Sequence, residues 1–546
     1  MNYFMNPDTP EQIGLNDFLT KLPVETEYGR KRKEILVPVG EEGRLILEQS
    51  YQEIGKIMEE HDRHPGLIKE LRKLIHGQKN IRKSLENSMD EQTLSDVELF
   101  EIKKQAFAME RVIGYLDRHK AVRFSSITLH PVKWLIELLD PEATGIETFY
   151  VYDEYDPKLK KLRSRKAKVK EQVLAEEKQK EKQVIEKLDV KPLWNKEVHI
   201  PKDQPEKQEK LQQMGMYLLA NETKSHWIYR PIKHELEETL SGLFGEEEVL
   251  EQKIRERLSH CIGEKGEELL QNTEALGYLD ILLGKVTVAI KYQCCEPEII
   301  DKPMLRITEG RHPGLEEKLK KEGLRYMPVD IEASKGVTLI TGANMGGKTM
   351  SLKMTALMVS LAQLGFWVPA KEFSFQPMEY IYFSTGDQQS HELGLSTFGA
   401  EVYGLKKVLK VAGKKGMILL DELASGTNPK EGYGISKAIV RHLSQESAIS
   451  IVTTHYDGIG DLPEIRHLQV VGLRDGHLDE IKDELENVDD PSGVFEKFMD
   501  YRLKPKDRND PVPRDAIRVA ELMGLPENIL ENARGYLAEN DREKEE

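Results

Sequence analysis

Val337-Thr338-Leu339-Ile340-Thr341-Gly342-Ala343-Asn344-Met345-Gly346-Gly347-Lys348-Thr349-Met350 sets the architecture of this chain. An apolar, strand-like run, Val337 to Ile340, enters it, and a helix-like run leaves it. Between them, Gly342 to Thr349 follow the pattern G-x-x-x-x-G-K-[ST]. In that pattern the glycines let backbone N–H groups crowd around phosphate oxygens, the lysine brings a point charge to the β- and γ-phosphates, and the hydroxyl ligates Mg²⁺. The helix N-terminus that follows adds a partial positive charge. The nucleotide-holding residues expected here are Gly342, Ala343, Asn344, Met345, Gly346, Gly347, Lys348, Thr349 and Met350. Taken alone, the same spacing also fits an ordinary strand-turn-helix of any α/β core.

The rest of a phosphate site follows in order. Gly416-Met417-Ile418-Leu419-Leu420-Asp421-Glu422 reads as a buried strand ending in two carboxylates, the position where an α/β sheet carries its ligand chemistry. Asp421 is expected to join Thr349 in the Mg²⁺ shell, and Glu422 to orient and polarise the attacking water. A second apolar run, Ala448 to Val452, ends in Thr453-Thr454-His455, which brings His455 within reach of the γ-phosphate or the water. By itself His455 reads as a buried, satisfied histidine at a strand end. Beside the other two motifs the catalytic reading prevails, with Lys348, Glu422 and His455 as the reacting set.

With these residues in hand, the chain resembles the MutS-like ATPases. The resemblance rests on Gly310-Arg311-His312-Pro313, the loop interior Asn344-Met345-Gly346-Gly347, Val368-Pro369-Ala370, Leu395-Ser396-Thr397-Phe398, and Asp421-Glu422 followed by Ser425-Gly426-Thr427. Weaker echoes are Thr93 to Leu99 and Tyr155-Asp156-Pro157, which look like lever landmarks, and Ala520 to Leu537, which looks like the family's C-terminal helical segment. The resemblance implies ATP with Mg²⁺ as the ligands and a homodimer with composite sites. In that dimer Ser396, Thr397 and Phe398 of one subunit approach the nucleotide of the other. Ser396 or Thr397 also reads simply as the N-cap of a helix with Glu401 in its early turns.

The implied fold is a multidomain α plus α/β chain: a helical lever with a clamp arm, then a P-loop ABC-type α/β ATPase domain. Its expected divisions are a lead-in at 1–42, a lever at 43–298 with the arm at about 155–290, an ATPase domain at 299–495 and a helical dimerisation segment at 496–546. Pro7, Pro10 and Pro23 discourage long helices in the lead-in. Helical periodicity dominates from Glu42 to Arg118, with breaks at Pro65-Gly66 and Gly77. Thr148 to Asp153 is β-prone. Lys158 to Lys187 reads as one charged helix, about 45 Å long at roughly 1.5 Å per residue. A β-hairpin, Met216 to Leu219 and His226 to Tyr229, is expected at its tip. The chain then returns helically to Tyr292, with breaks at Gly242-Leu243-Phe244-Gly245, Gly263 and Gly266.

Composition frames the partners. At 546 residues the chain is long enough for about three domains, and no stretch is apolar for the length of a bilayer. No signal-peptide pattern opens the sequence, and an odd, sparse count of three cysteines suits a reducing cytoplasm better than a disulfide framework. The adjacent Cys294-Cys295 reads as two incidental thiols, with a redox pair as the sharper alternative. A net charge of −16 opposes DNA at long range, yet Lys158, Lys160, Lys161, Arg163, Arg165, Lys166, Lys168 and Lys170 could follow a phosphate backbone or simply form a solvated face.

Two departures narrow the function that the resemblance implies. Barely forty residues precede the helical region, without the Phe-x-Glu wedge or the connector of the mismatch readers, and the chain stops soon after the helical segment that a second branch follows with a nuclease domain. The match from Asp387 to Phe398 nevertheless looks closer to that branch. In the terminal segment, Asp515-Ala516 stands where the family has a Ser-x-Gly pair. The expected protein is a dimeric ATPase clamp on duplex or branched DNA that does not itself read mismatches. The alternative is an accessory ATPase that grips a protein client, such as a cofactor-dependent mutase.

Overall fold

The computed structural model describes residues 4–119, 126, 128–232, 235–342, 347–385, 397–456, 458–473, 481, 499–506 and 515–545. The chain divides into two compact units, one formed by Gly77–Gly114 and Leu129–Ala275, the other by Met1–His76, Tyr115–Thr128 and Leu276–Glu546.

In the first of these units a 32-residue helix, Pro157–Leu188, runs where the charged pattern places it. Asp156 caps it by accepting the Lys158 N–H, and Pro157 occupies the first turn, where its missing N–H costs nothing. A second helix, Glu235–Gly263, packs Leu243 against Leu162, Val169 and Val173. The break expected at Gly242 to Gly245 is therefore absent. Two glycines in a helix cost roughly 1 kcal/mol each, and the apolar contact of Leu243 between them offsets that penalty. The unit also carries a small antiparallel sheet of β1 (Val198–Pro201), β2 (Tyr217–Glu222) and β3 (His226–Pro231), in the order β1-β3-β2. The hairpin was legible in the sequence, whereas β1, with only Val198 and Ile200 facing inward, was too short to read. Thr148 to Asp153 forms no strand; Tyr152 is buried there and bonds Asp140 and Lys103 through its hydroxyl.

The other unit is built on a six-stranded sheet of β7 (Gly336–Thr341), β9 (Tyr380–Ser384), β10 (Gly416–Leu420), β11 (Ile449–Thr453), β12 (Arg466–Leu473) and β13 (Met499–Pro505). Their order is β13-β12-β7-β11-β10-β9, parallel except for β13. Both faces are covered, so the strands read as continuous apolar runs. Met417, Leu419, Ile449 and Ile451 join a core with helix Lys348–Gln363 on one face, while Ile418, Leu420 and Val452 meet Leu405, Val408, Val440 and Leu443 on the other. A second sheet pairs β4 (Glu298–Ile299), β5 (Met304–Gly310), β6 (Val329–Ser334) and β8 (Glu372–Phe375) in the order β4-β8-β5-β6. The proline-limited lead-in forms short helices, the longest Glu27–Glu34, and sends Ile13, Leu15, Phe18 and Leu22 into the main core. Among the described residues no helix is long and apolar enough to cross a membrane.

Candidate nucleotide site

β7, β10 and β11 end side by side, and parallel pairing brings the residues that follow each strand to one edge of the sheet. Helix Lys348–Gln363 starts at that edge after Gly347, whose φ of 77° is left-handed. A Cβ at Gly347 would lie 2.8 Å from Cδ1 of Tyr501, so both backbone and space demand glycine. Lys348 is 5 % exposed and donates from Nζ to the Gly342 carbonyl at 2.6 Å. Burial lowers its pKa to about 8, against the opposing pull of the Glu422 and Asp421 carboxylates.

Hydrogen bonds link the remaining polar groups. The Thr349 hydroxyl donates to Asp421 Oδ2 at 2.6 Å, and the Thr453 hydroxyl donates to Asp421 Oδ1 at 2.7 Å. The same Thr453 oxygen accepts the Glu422 N–H at 2.8 Å, and Glu422 Oε1 lies 2.8 Å from His455 Nε2. Glu422 and Ala424 both have left-handed backbones, with φ of 51° and 56°. Such residues cost about 1–3 kcal/mol and persist where the surroundings over-determine them. Here the Ala424 N–H donates to buried Glu401 and its carbonyl accepts from the Tyr456 hydroxyl. The turn thus aims the Glu422 side chain back towards His455 rather than along the strand.

Of the residues singled out from sequence, Lys348, Thr349, Asp421, Glu422 and His455 surround this edge, with Gly342 and Gly347 flanking the loop and Met350 in the first helical turn. Ala343, Asn344, Met345, Gly346 and Ser396 lie outside the described residues, as does the Thr397 side chain, although Thr397 opens helix Thr397–Leu409. Thr453 was quoted in the sequence without a role; its hydroxyl turns out to hold both carboxylate residues. Tyr501 carried no local signal at all, being some 150 residues from the loop it covers. The Thr349 hydroxyl and Asp421 carboxylate supply hard oxygen donors of the kind Mg²⁺ shares with waters and phosphates, so the residues present fit that ion.

Two other motifs of the resemblance, Gly310 to Pro313 and Val368 to Ala370, are fasteners. His312 Nδ1 accepts the Leu315 N–H while Nε2 donates to the Ile13 carbonyl, and burial keeps the ring neutral by lowering its pKa. Arg311 donates to the Tyr292 and Gln293 carbonyls, and the Pro369 carbonyl accepts the Arg311 N–H. Val368 bridges to Cys295, and burial raises both thiols of the adjacent pair, Cys295 to about 11. Raised thiols are poor nucleophiles, which favours the incidental reading of that pair.

A family model described as MutS domain V matches residues 338–540, the span holding the loop, both carboxylates and His455. Over that span the chain is similar to the MutS family. It is 30 % identical over 294 residues to a protein named Endonuclease MutS2 of Fusobacterium nucleatum, covering 54 % of this chain and 35 % of that one. Its likeness to the protein of the same name from Caldanaerobacter subterraneus is 27 % over 490 residues, or 84 % of this chain and 56 % of the relative. For Agathobacter rectalis the figures are 32 % over 314 residues, 57 % and 36 %. This MutS-like chain therefore spans from about a third to just over half the length of the curated relatives it matches.

Proposed function

We propose that this MutS-like chain binds and hydrolyses ATP at the edge formed by β7, β10 and β11, as a homodimer that engages duplex or branched DNA in repair or recombination. The observation that carries the reading is the linked set Thr349–Asp421–Thr453–Glu422–His455 beside the buried Lys348. Lys348 leaves the Gly342 carbonyl and takes the β- and γ-phosphates, joined by N–H groups of the loop from Gly342 to Met350. Thr349 and Asp421 would hold Mg²⁺, which would supply charge neutralisation to the phosphate oxygens. Glu422 orients the water, and His455, hydrogen-bonded to it, fixes the carboxylate and faces the γ-phosphate. Ser396 and Thr397 reach the nucleotide of the other subunit.

The domain assignment that accompanies this reading is a lead-in at 1–42, a lever with its arm at 43–298, an ATPase domain at 299–495 and a dimerisation segment at 496–546. Exposed Met523 and Leu525 in the turn between the terminal helices Asp515–Leu522 and Glu527–Glu545, with Ile529 and Tyr536 in the second of them, support the last of these. For DNA, the arm helix sorts its cations. Arg163 and Lys166 are held by Glu247, Glu251 and Asp153, whereas Lys158, Lys161, Arg165, Lys168 and Lys170 are exposed. Those exposed cations are the proposed phosphate contacts, and binding through them weakens as salt rises. The protein-client alternative has no observation of its own.

The deciding experiment is steady-state ATP hydrolysis by wild type and Lys348→Ala, with and without duplex and branched DNA at low salt. Turnover lost in the variant and raised several-fold by DNA supports the full reading. Lys348-dependent turnover indifferent to every DNA keeps the ATPase and removes the DNA clamp, and turnover that survives Lys348→Ala removes the assigned site.

A further inference from the structure

Away from the nucleotide edge, three side chains converge on one point. Glu60 and His64 are four residues apart at the end of helix Arg44–Arg63, and His119 directly follows helix Asp96–Arg118. Glu60 Oε1 lies 3.0 Å from His119 Nδ1 and 3.5 Å from His64 Nε2, and the three ligand atoms all sit within 4.8 Å of one another. The two imidazole rings are 4.9 Å apart at an interplanar angle of 74°. Among the described residues this is the one group of three or more metal-ligating side chains so arranged.

From these distances the geometry points to a binding site for a divalent transition ion of the Zn²⁺ class, held by Glu60, His64 and His119. A tetrahedral ion at about 2.0–2.1 Å from N and O ligands needs ligand atoms about 3.3–3.4 Å apart, close to the two spacings to the carboxylate. Two imidazoles and one carboxylate suit a borderline ion; Mg²⁺ prefers an all-oxygen shell. The environment is built for it. Glu60 is buried, with its side chain 6 % exposed, which favours a carboxylate that a cation neutralises. Arg63 engages the other oxygen, Oε2, at 3.3 Å and leaves Oε1 to the ion. The Tyr115 ring packs on His119 at 4.7 Å and fixes its plane. His64 is 55 % exposed, so ion and water enter from that side and a water fills the fourth position. Loaded, the site ties the end of helix Arg44–Arg63 to the end of helix Asp96–Arg118.

The test uses the full chain, stripped with EDTA, exchanged into metal-free buffer and titrated with ZnCl₂ by calorimetry, with elemental analysis for stoichiometry. One saturable equivalent per chain is expected, with a Tm that rises with zinc concentration and a visible d–d absorption when Co²⁺ replaces zinc. His64→Ala, at an exposed position that leaves the fold intact, and His119→Ala should each lose that equivalent. Cys294→Ser with Cys295→Ser, and separately His455→Ala, should retain it, which distinguishes this site from the thiol pair and the nucleotide edge. No saturable binding to wild type overturns the site, as does an equivalent that survives in both His64→Ala and His119→Ala.

Discussion

The two ends of helix Lys348–Gln363 each carry a buried lysine, and the two are held differently. Lys348, at the N-terminal end, faces the Asp421 and Glu422 carboxylates, and burial takes its pKa to about 8. Lys285, beyond the C-terminal end, is buried and donates to the Leu364 and Gly365 carbonyls at 2.8 and 3.0 Å, with its pKa lowered to about 7. Around it Ser50 donates to the Gly365 carbonyl, Tyr51 to Ala362, and the Gln363 amide to Val39 and Met378. The last carbonyls of a helix lack intrahelical partners, and at this end side chains from distant elements supply the donors. On the proposed reading, one end keeps charge available for an incoming polyphosphate. The other uses polar groups only to close off a buried helix terminus, where a neutral amine serves as well as a charged one.

This contrast breaks if mutations at the two ends have the same consequences. The largest effect is expected for Lys348→Ala, which should lower ATP turnover by at least about two orders of magnitude, the scale of losing a key transition-state electrostatic contact. Because that lysine is buried against its preference for water, the urea midpoint should barely move. Gln363→Ala should do the reverse. It strands the Val39 and Met378 carbonyls and the Met378 N–H, so a loss of about 2–4 kcal/mol in urea unfolding is expected, with ATP affinity per folded molecule retained.

The pH dependences sharpen the comparison. Lys285 titrates near 7 when folded and near its ordinary 10.5 when unfolded. Between those values the unfolded chain binds more protons, so stability rises with pH, by up to about 1.4 kcal/mol per unit. From pH 7 to 8 that slope belongs to Lys285 among the two, and Lys285→Met should flatten it in urea titrations. Lys348 loses its proton near pH 8 in the nucleotide-free chain. ATP binding above that pH must therefore take up a proton, and the association constant should fall by up to about tenfold per unit. Calorimetry in buffers of different ionisation enthalpy reads that uptake directly. The smallest effect is expected for Tyr51→Phe, which removes one hydrogen bond to Ala362 and should cost about 1 kcal/mol in the same unfolding assay.

Much of the proposed nucleotide end was legible in the sequence. Phosphate chemistry needs glycines, a lysine and a hydroxyl within a few consecutive residues, and carboxylates where a strand stops, so Lys348, Thr349, Asp421, Glu422 and His455 stood out. The long helix Pro157–Leu188 was equally legible, because Asp156-Pro157 is a local start signal and its charge pattern is periodic. The C-terminal end was not. Ser50 and Gly365 are 315 residues apart, and nothing in Ser50 or in the helix around it announces a carbonyl to be satisfied. The Gly242 to Gly245 break failed for the same reason, since a packed Leu243 overrides a local preference.

By itself the sequence determined the resemblance to the MutS family, the order of strand, loop and helix, and the residues at the proposed phosphate edge, because each is written in neighbouring residues. Only the tertiary structure decided which groups close that edge and which ends it buries. Tyr501 over Gly347, His312 on Ile13, Lys285 on the helix terminus, and Glu60 between His64 and His119 are all pairings of distant residues. A buried donor or acceptor must find a partner, but the requirement names no position in the chain. Packing chooses the partner from whatever side chain the fold brings within about 3 Å.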